Sequence, residues 1–310
     1  MILTVTLNPS VDIKYTLDYF SIDEVNRVDQ VIKTAGGKGL NVSRVLKQLD
    51  ADVGATGFLG GELGEFIRSE LKKECIVDLF VPISGKTRNC IAVIHEGMQT
   101  EILESGPVIQ DEEIEHFLSN FIKILPQVDL VTISGSLPKG VPTNFYQRII
   151  ELCSQHEKLV LLDTNEKLLD ASLKGRAKPY LIKPNREELA GFLGREINSQ
   201  EDLMVALGDQ AFQDIEWVVV SLGSKGAMIK HQESIYNVQI PKVEAVNPVG
   251  SGDSVIAGFA SGLSRKLEKT TLMRYGIAMG ILNAMEEKTG YINPANIDWC
   301  MEQIKIEKLK

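Results

Sequence analysis

Apolar positions along this chain switch repeatedly between two patterns. Short continuous apolar runs stand at residues 2–7, 53–58, 130–133, 159–162, 180–182 and 217–220, each bounded by polar or turn residues. Runs of that kind are what strands buried on both faces require. Stretches of helical spacing follow them, over 62–75, 142–155, 186–193 and 199–212. The alternation predicts an α/β chain with a mainly parallel central sheet and helices on both faces. The last third is expected to be largely helical, over 251–264, 272–286 and 294–304.

Two regions break the alternation. Residues 15–33 and 76–104 carry short β-type runs with polar alternation, and Cys90–Ile94 can face Thr100–Leu103 across Glu96-Gly97. These read as hairpin strands of a small sheet outside the main one. The expected organisation is therefore one domain over 1–310 with two inserted segments forming a small β subdomain.

Composition narrows the class. With 310 residues and 44% hydrophobic content the chain can bury a large core. A formal charge of −9 argues against nucleic acid or an anionic membrane as partner. Residues 1–7 lack a charged n-region and are too short for a signal peptide, and no run reaches a membrane-spanning length. The four cysteines show no C-x-x-C spacing and read as reduced thiols of a cytoplasmic protein.

Candidate chemistry lies in two glycine-rich turns. Asn247-Pro248-Val249-Gly250-Ser251-Gly252-Asp253-Ser254 runs into an apolar helical opening. Glycines before a helix start leave backbone N–H groups free for an anion, and the helix dipole favours negative charge there. Asp253 sits in the same turn, where a carboxylate can take a proton from an attacking hydroxyl. Taken alone, the turn reads equally well as a capping acid on a tight bend. The second turn, Ala35-Gly36-Gly37-Lys38-Gly39-Leu40-Asn41, also leads into an amphipathic helix. Lys38 beside a helix N-terminus is electrostatically disfavoured unless an anion joins it. Neither turn fits the P-loop or the dinucleotide fingerprint.

Together the two turns resemble the paired signatures of the ribokinase-like sugar kinases, in the branch containing the phosphofructokinase B family. Further segments match in order: Thr6–Asp12, Thr87-Arg88-Asn89, Ile133–Pro138, Lys183–Leu189 and Ser221–Gly226. Residues 85–92 and 95–104 look most similar to the tagatose-6-phosphate kinases, with fructose-1-phosphate kinase the near neighbour. The resemblance covers essentially the whole chain and implies a ribokinase-like fold whose small β-sheet is a lid, often shared in a homodimer. It implies ATP-dependent phosphorylation of a ketohexose phosphate, first D-tagatose 6-phosphate, otherwise fructose 1-phosphate or fructose 6-phosphate. A catalytically silent sugar-phosphate and nucleotide sensor is the reading from another class, and it would call for a missing base or a broken anion turn.

By the same resemblance, Asp253 is the general base, and Gly250, Ser251 and Gly252 supply N–H groups to the transferring phosphoryl. Asp12, Gly37, Lys38 and Asn41 are implied to contact the sugar. Arg88, Ser136 and Arg27 are implied to grip its existing phosphate, where a guanidinium fork suits two oxygens. Lys183, Asn185 and Glu188 are expected near the nucleotide phosphates, with Glu188 holding Mg2+ through water. Ser221, Gly223 and Gly226 would line the nucleotide, and Asn283 the adenine pocket. Many members carry Asp where this chain has Asn247, close to a monovalent-cation site, so a potassium requirement is left open. After Asp163 the usual small residue and glycine are replaced by Thr164-Asn165-Glu166. His95 and His231 are expected to be structural.

Overall fold

The computed structural model describes residues 1–310. An 11-stranded sheet forms its centre. The strand Ile2–Thr6 lies between Val53–Leu59 and Leu130–Ser134, and Leu159–Asp163, Leu181–Ile182 and Trp217–Ser221 continue outward, all of these pairings parallel. Every side chain of the first three strands is buried, as continuous apolar runs demand. Helices cover both faces. One layer contains Leu40, Val45, Ile256, Phe259 and Met273; the other contains Phe117, Phe121, Phe145 and Ile149.

The helices expected at 186–193 and 251–264 are found as Arg186–Leu193 and Ser251–Ser264. Other boundaries move by a few residues: the expected 272–286 is Lys269–Ala284, and 199–212 divides into Gln200–Leu207 and a short turn Gln210–Phe212. The helices Ser251–Ser264 and Lys269–Ala284 cross closely because glycine faces side chain. A Cβ on Gly276 would lie 2.4 Å from the ring of Phe259.

Three features correct the expected layout. The last third is not simply helical, since Ala227–His231, Ser234–Gln239 and Lys305–Lys308 extend the sheet as antiparallel strands, the last of them at its edge. Helices Asp111–Ile124 and Glu166–Leu173 were not among those the pattern gave. In the first of these, Ile114, Phe117, Leu118 and Phe121 nevertheless stand at helical spacing. The small sheet is four-stranded, built from Ser10–Leu17, Val31–Gly36, Arg88–His95 and Met98–Leu103. It thus starts before residue 15, while Val77–Asp78 and Val81–Pro82 pair with Val53–Leu59 of the large sheet. The hairpin across Glu96-Gly97 pairs as expected, from Cys90 with Leu103 to His95 with Met98.

Candidate active site

The parallel strands Ile2–Thr6, Leu130–Ser134, Leu159–Asp163 and Leu181–Ile182 point their carboxyl ends to one rim of the sheet. That rim is where open α/β sheets bind ligands. Chain continuity delivers Asn8, Ser136, Asp163 and Lys183 to it.

Two helices start at the same place. The residues before them, Gly37 and Gly250, have φ of 107° and 82°, a region that favours glycine. Neither helix has a side-chain cap. The first-turn N–H groups of Lys38 and Gly39, and of Gly252 and Asp253, are therefore left for an anion, whereas the Ser251 N–H, expected to serve it too, is taken by the Pro248 carbonyl at 3.2 Å. Gly39 also lets its helix seat on the first strand, since a Cβ there would lie 2.1 Å from Thr6 Oγ1.

A buried polar network joins the two starts. Asn41 Nδ2 donates to Asp253 Oδ2 at 2.8 Å, and Arg44, itself anchored on the Ala35 carbonyl, donates to Asn41 Oδ1. Lys38 Nζ lies 3.5 Å from Asp163 Oδ2, and Lys183 Nζ lies 3.3 Å from Asp163 Oδ1. Burial, and then the Asp163 charge, push the Asp253 carboxyl up to about 6, against the opposing pull of Lys38, the Asn41 bond and Lys183. Burial alone would raise Asp163 too, but the Lys183 and Lys38 ammoniums outweigh it and hold Asp163 below the usual carboxylate range. The Asp163 carboxylate, aided by Asp253 and Glu188 against burial, raises Lys38 above the ordinary lysine range. Two neighbouring carboxyls are thus driven in opposite directions. The one nearer the anion-binding turn acquires the poise of a base near neutral pH.

Beside this centre the small sheet presents Asp12. Ser10 Oγ donates to Asp12 Oδ1 at 2.7 Å, and burial raises the Asp12 carboxyl despite that bond. Arg88 donates to the carbonyls of Glu104 and Asn8, at 2.7 and 3.2 Å, and Asn8 Nδ2 donates to Ser136 Oγ at 3.4 Å. Arg88 and Ser136 therefore meet through Asn8, a residue not among the expected site residues. Arg27 is not brought in: it is exposed on the connection between Leu17 and Val31 and makes no ion pair or hydrogen bond to this cluster.

On the other side, Asn185 and Glu188 bond each other's backbone N–H, at 2.8 and 2.9 Å, as a capping box for Arg186–Leu193. Ser221 is tied alongside by its N–H to the Pro184 carbonyl at 3.2 Å. Gly223 and Gly226 form the turn that follows, with φ of 58° and 91°. No three His, Cys, Asp or Glu side chains converge as a cage. Glu188 commits one carboxylate oxygen to its cap, which leaves the other free. That donor set suits a hydrated cation arriving with phosphates.

Asn283 corrects an expectation. It has no accessible surface and faces no adenine pocket. Its Oδ1 accepts from Ser254 Oγ and the Gly290 N–H, while Nδ2 donates to the Val249 carbonyl and Ser251 Oγ. It holds the anion-binding turn from beneath. Asn247 ties the start of that turn, donating to the Glu287 carbonyl and Thr289 Oγ1 and accepting from the Val249 N–H. Asp163, the charged partner of Lys38 and Lys183, was not among the expected site residues. Its signal was its place, the first polar residue at the carboxyl end of a buried parallel strand.

The profile of the pfkB family carbohydrate kinases matches residues 5–296. The tagatose-6-phosphate kinase of Staphylococcus epidermidis is 49% identical over 307 residues, covering 99% of each chain. Phosphofructokinase-2 from Escherichia coli, solved in complex with substrates and products, has a TM-score of 0.88 at 26% identity, covering 97% of this chain and 98% of that one. The tetrameric inhibited form of the same enzyme gives 0.87 at 25% identity, with the same coverage.

Proposed function

The chain belongs to the pfkB family of carbohydrate kinases and is an ATP-dependent sugar-phosphate kinase, and from that premise we propose that its acceptor is D-tagatose 6-phosphate and its product D-tagatose 1,6-bisphosphate. The near-full-length similarity to the Staphylococcus epidermidis kinase supports that acceptor. The observation that carries the mechanism is the buried Asp253 carboxylate standing in the first turn of an uncapped helix, next to a cluster in which Lys38 and Lys183 are paired with Asp163.

In this reading the sugar lies between Asp12 and Asn41, with its existing phosphate toward Arg88 and Ser136. The free primary hydroxyl points at Asp253. As its oxygen bonds the γ-phosphorus, Asp253 accepts the proton, and the bond from that phosphorus to the bridging oxygen breaks, leaving ADP. The N–H groups of Gly252 and Asp253, with Lys38 and Lys183, face the charge that moves between phosphates. A magnesium ion held by Glu188 through water would neutralise phosphate charge when bound. Ser221, Gly223 and Gly226 flank the nucleotide.

The small sheet also supports a homodimer through the lid. In-register neighbours share a face, so Ile32 and Leu103 stand on the same face as Asp12, Lys14 and Cys90. Both are exposed, at 48% and 61%, whereas Val11 and Ile13 on the opposite face are buried in the main core. Four free cysteines support a reducing, cytoplasmic setting, and no helix is long and apolar enough to cross a membrane.

The test compares kcat/KM for tagatose 6-phosphate, fructose 6-phosphate and fructose 1-phosphate, in the wild type and in Asp253→Asn. Tagatose 6-phosphate is expected to lead. Fructose 6-phosphate should follow, because the two sugars differ in one hydroxyl configuration. Asp253→Asn should lower kcat about 10²–10⁴-fold, the usual worth of a positioned base. The base must be ionised, so wild-type kcat/KM should fall as pH drops below about 6. A variant with full turnover would remove Asp253 from this role, and a clear lead for fructose 1-phosphate would overturn the acceptor. No turnover with any of the three would return the sensor reading.

A further inference from the structure

We propose that Asp163 is a positioning residue for phosphoryl transfer: its buried carboxylate anchors Lys38 and Lys183 away from Asp253 and so keeps the base free for the hydroxyl proton. The inference rests on the reading of Asp253 as that base.

Four charged side chains, two of each sign, meet at the rim of the sheet. Each Asp163 oxygen faces one lysine, Oδ2 with Lys38 at 3.5 Å and Oδ1 with Lys183 at 3.3 Å. No ion pair joins either lysine to Asp253. Yet Lys183 Nζ lies only 3.0 Å from the place a Cβ on Gly252 would take, next door to the base. The lysines have two anions within reach and sit on one.

Asp163 is built to win that competition. It ends the strand Leu159–Asp163, and its own carbonyl accepts from the Gly135 N–H at 3.0 Å, so its backbone is fixed in the sheet. Its side chain is 1% exposed, and neither oxygen has a hydrogen-bond donor of good geometry. The two ammoniums are its only compensation, and a buried carboxylate without them is strongly disfavoured. Asp253 in contrast has the Asn41 amide. Buried ion pairs give little net stability over apolar packing, so stability alone does not account for the group.

The groups bearing on Asp253 are Asp163, Lys38, Lys183 and Asn41, with Arg44 behind Asn41. Remove the Asp163 charge and the nearest anion for both lysines becomes the base itself. A base paired with lysine is a weaker base, and its oxygens are no longer free for the substrate.

The experiment is the pH dependence of kcat/KM for Asp163→Asn and, separately, Lys183→Gln. Asp163→Asn should move the acid limb down by about one pH unit and lower kcat at least tenfold, with the sugar-phosphate KM changed less than threefold. A role confined to folding would leave that limb where it is. Lys183→Gln leaves Asp163 undercompensated beside Asp253, so its limb should move up, and it reports even if Asp163→Asn does not fold. An unmoved limb in both variants, with the limb absent in Asp253→Asn, overturns the inference. A limb that persists in Asp253→Asn overturns instead the assignment of the base.

Discussion

Gly36 has no side chain because Asp12 occupies the space. A Cβ at this position would lie 2.1 Å from the Asp12 carboxyl carbon, nearer than any real contact allows. The backbone there is not left-handed, so a Gly36→Ala change tests space alone. The Asp12 carboxylate must swing away from the sugar side, breaking its 2.7 Å bond from Ser10. The sugar-phosphate KM should rise about tenfold or more, since misplacing a binding group by an ångström has effects of that order. The ATP KM should stay within twofold. Steady-state kinetics with each substrate varied checks both numbers, and an equal rise in the two would place the damage in the fold. At this scale the sequence singled out Asn41 and Asp253, which the fold brings within hydrogen-bond distance, but not Asn8 or Asp163. Those two are ordinary polar residues until their strands are laid side by side.

The elements that make the site are helix starts, and a helix start works only if something fixes its entry. For Ser251–Ser264 that something is Asn283, on the neighbouring helix Lys269–Ala284, which spends its amide on Val249, Ser251, Ser254 and Gly290. Asn283→Ala would release the Val249 carbonyl and leave the buried Gly290 N–H without a partner, the latter at about 1–3 kcal/mol. The melting temperature should fall. The kcat should fall at least tenfold while both KM values change little, because the turn faces the moving phosphoryl more than either resting substrate. Denaturation and kinetics on the same preparation check this, and a stability loss with unchanged kcat would sink it. Legibility at this scale followed burial. The fully buried strands and the helix behind the anion turn were readable as continuous or periodic apolar runs. The antiparallel strands 227–231, 234–239 and 305–308 were not, because they are short and Lys230, Asn237 and the charged residues of 305–308 interrupt their apolar runs.

Across the whole molecule, the small sheet is buried on one face at Val11, Ile13 and Val93 and open on the other, while Met98–Leu103 is exposed along its length. The open face carries Asp12 at one end and the exposed Ile32 and Leu103 further along. A second copy laid on it would cover apolar surface and exclude water from the sugar side together. The paired change Ile32→Lys with Leu103→Lys should therefore convert a dimer to monomers in sedimentation velocity at micromolar concentration, and weaken sugar-phosphate binding. A wild type that sediments as a monomer, or a variant still dimeric, would remove the lid from assembly.

What the sequence determined by itself is local. Glycines at 37 and 250, with no capping side chain after them, leave orphan N–H groups wherever those helices are placed, and apolar runs of strand length must pair and be covered. The division of labour between Asp163 and Asp253 was decided only by the tertiary structure. Both are single acids at the edge of an apolar segment. Asp253 takes its hydrogen bond from Asn41, 212 positions away, and Asp163 takes its charges from Lys38 and Lys183 on two other elements. Desolvation and Coulomb attraction depend on distance in space. Only the assembled sheet brings those distances down to a few ångströms.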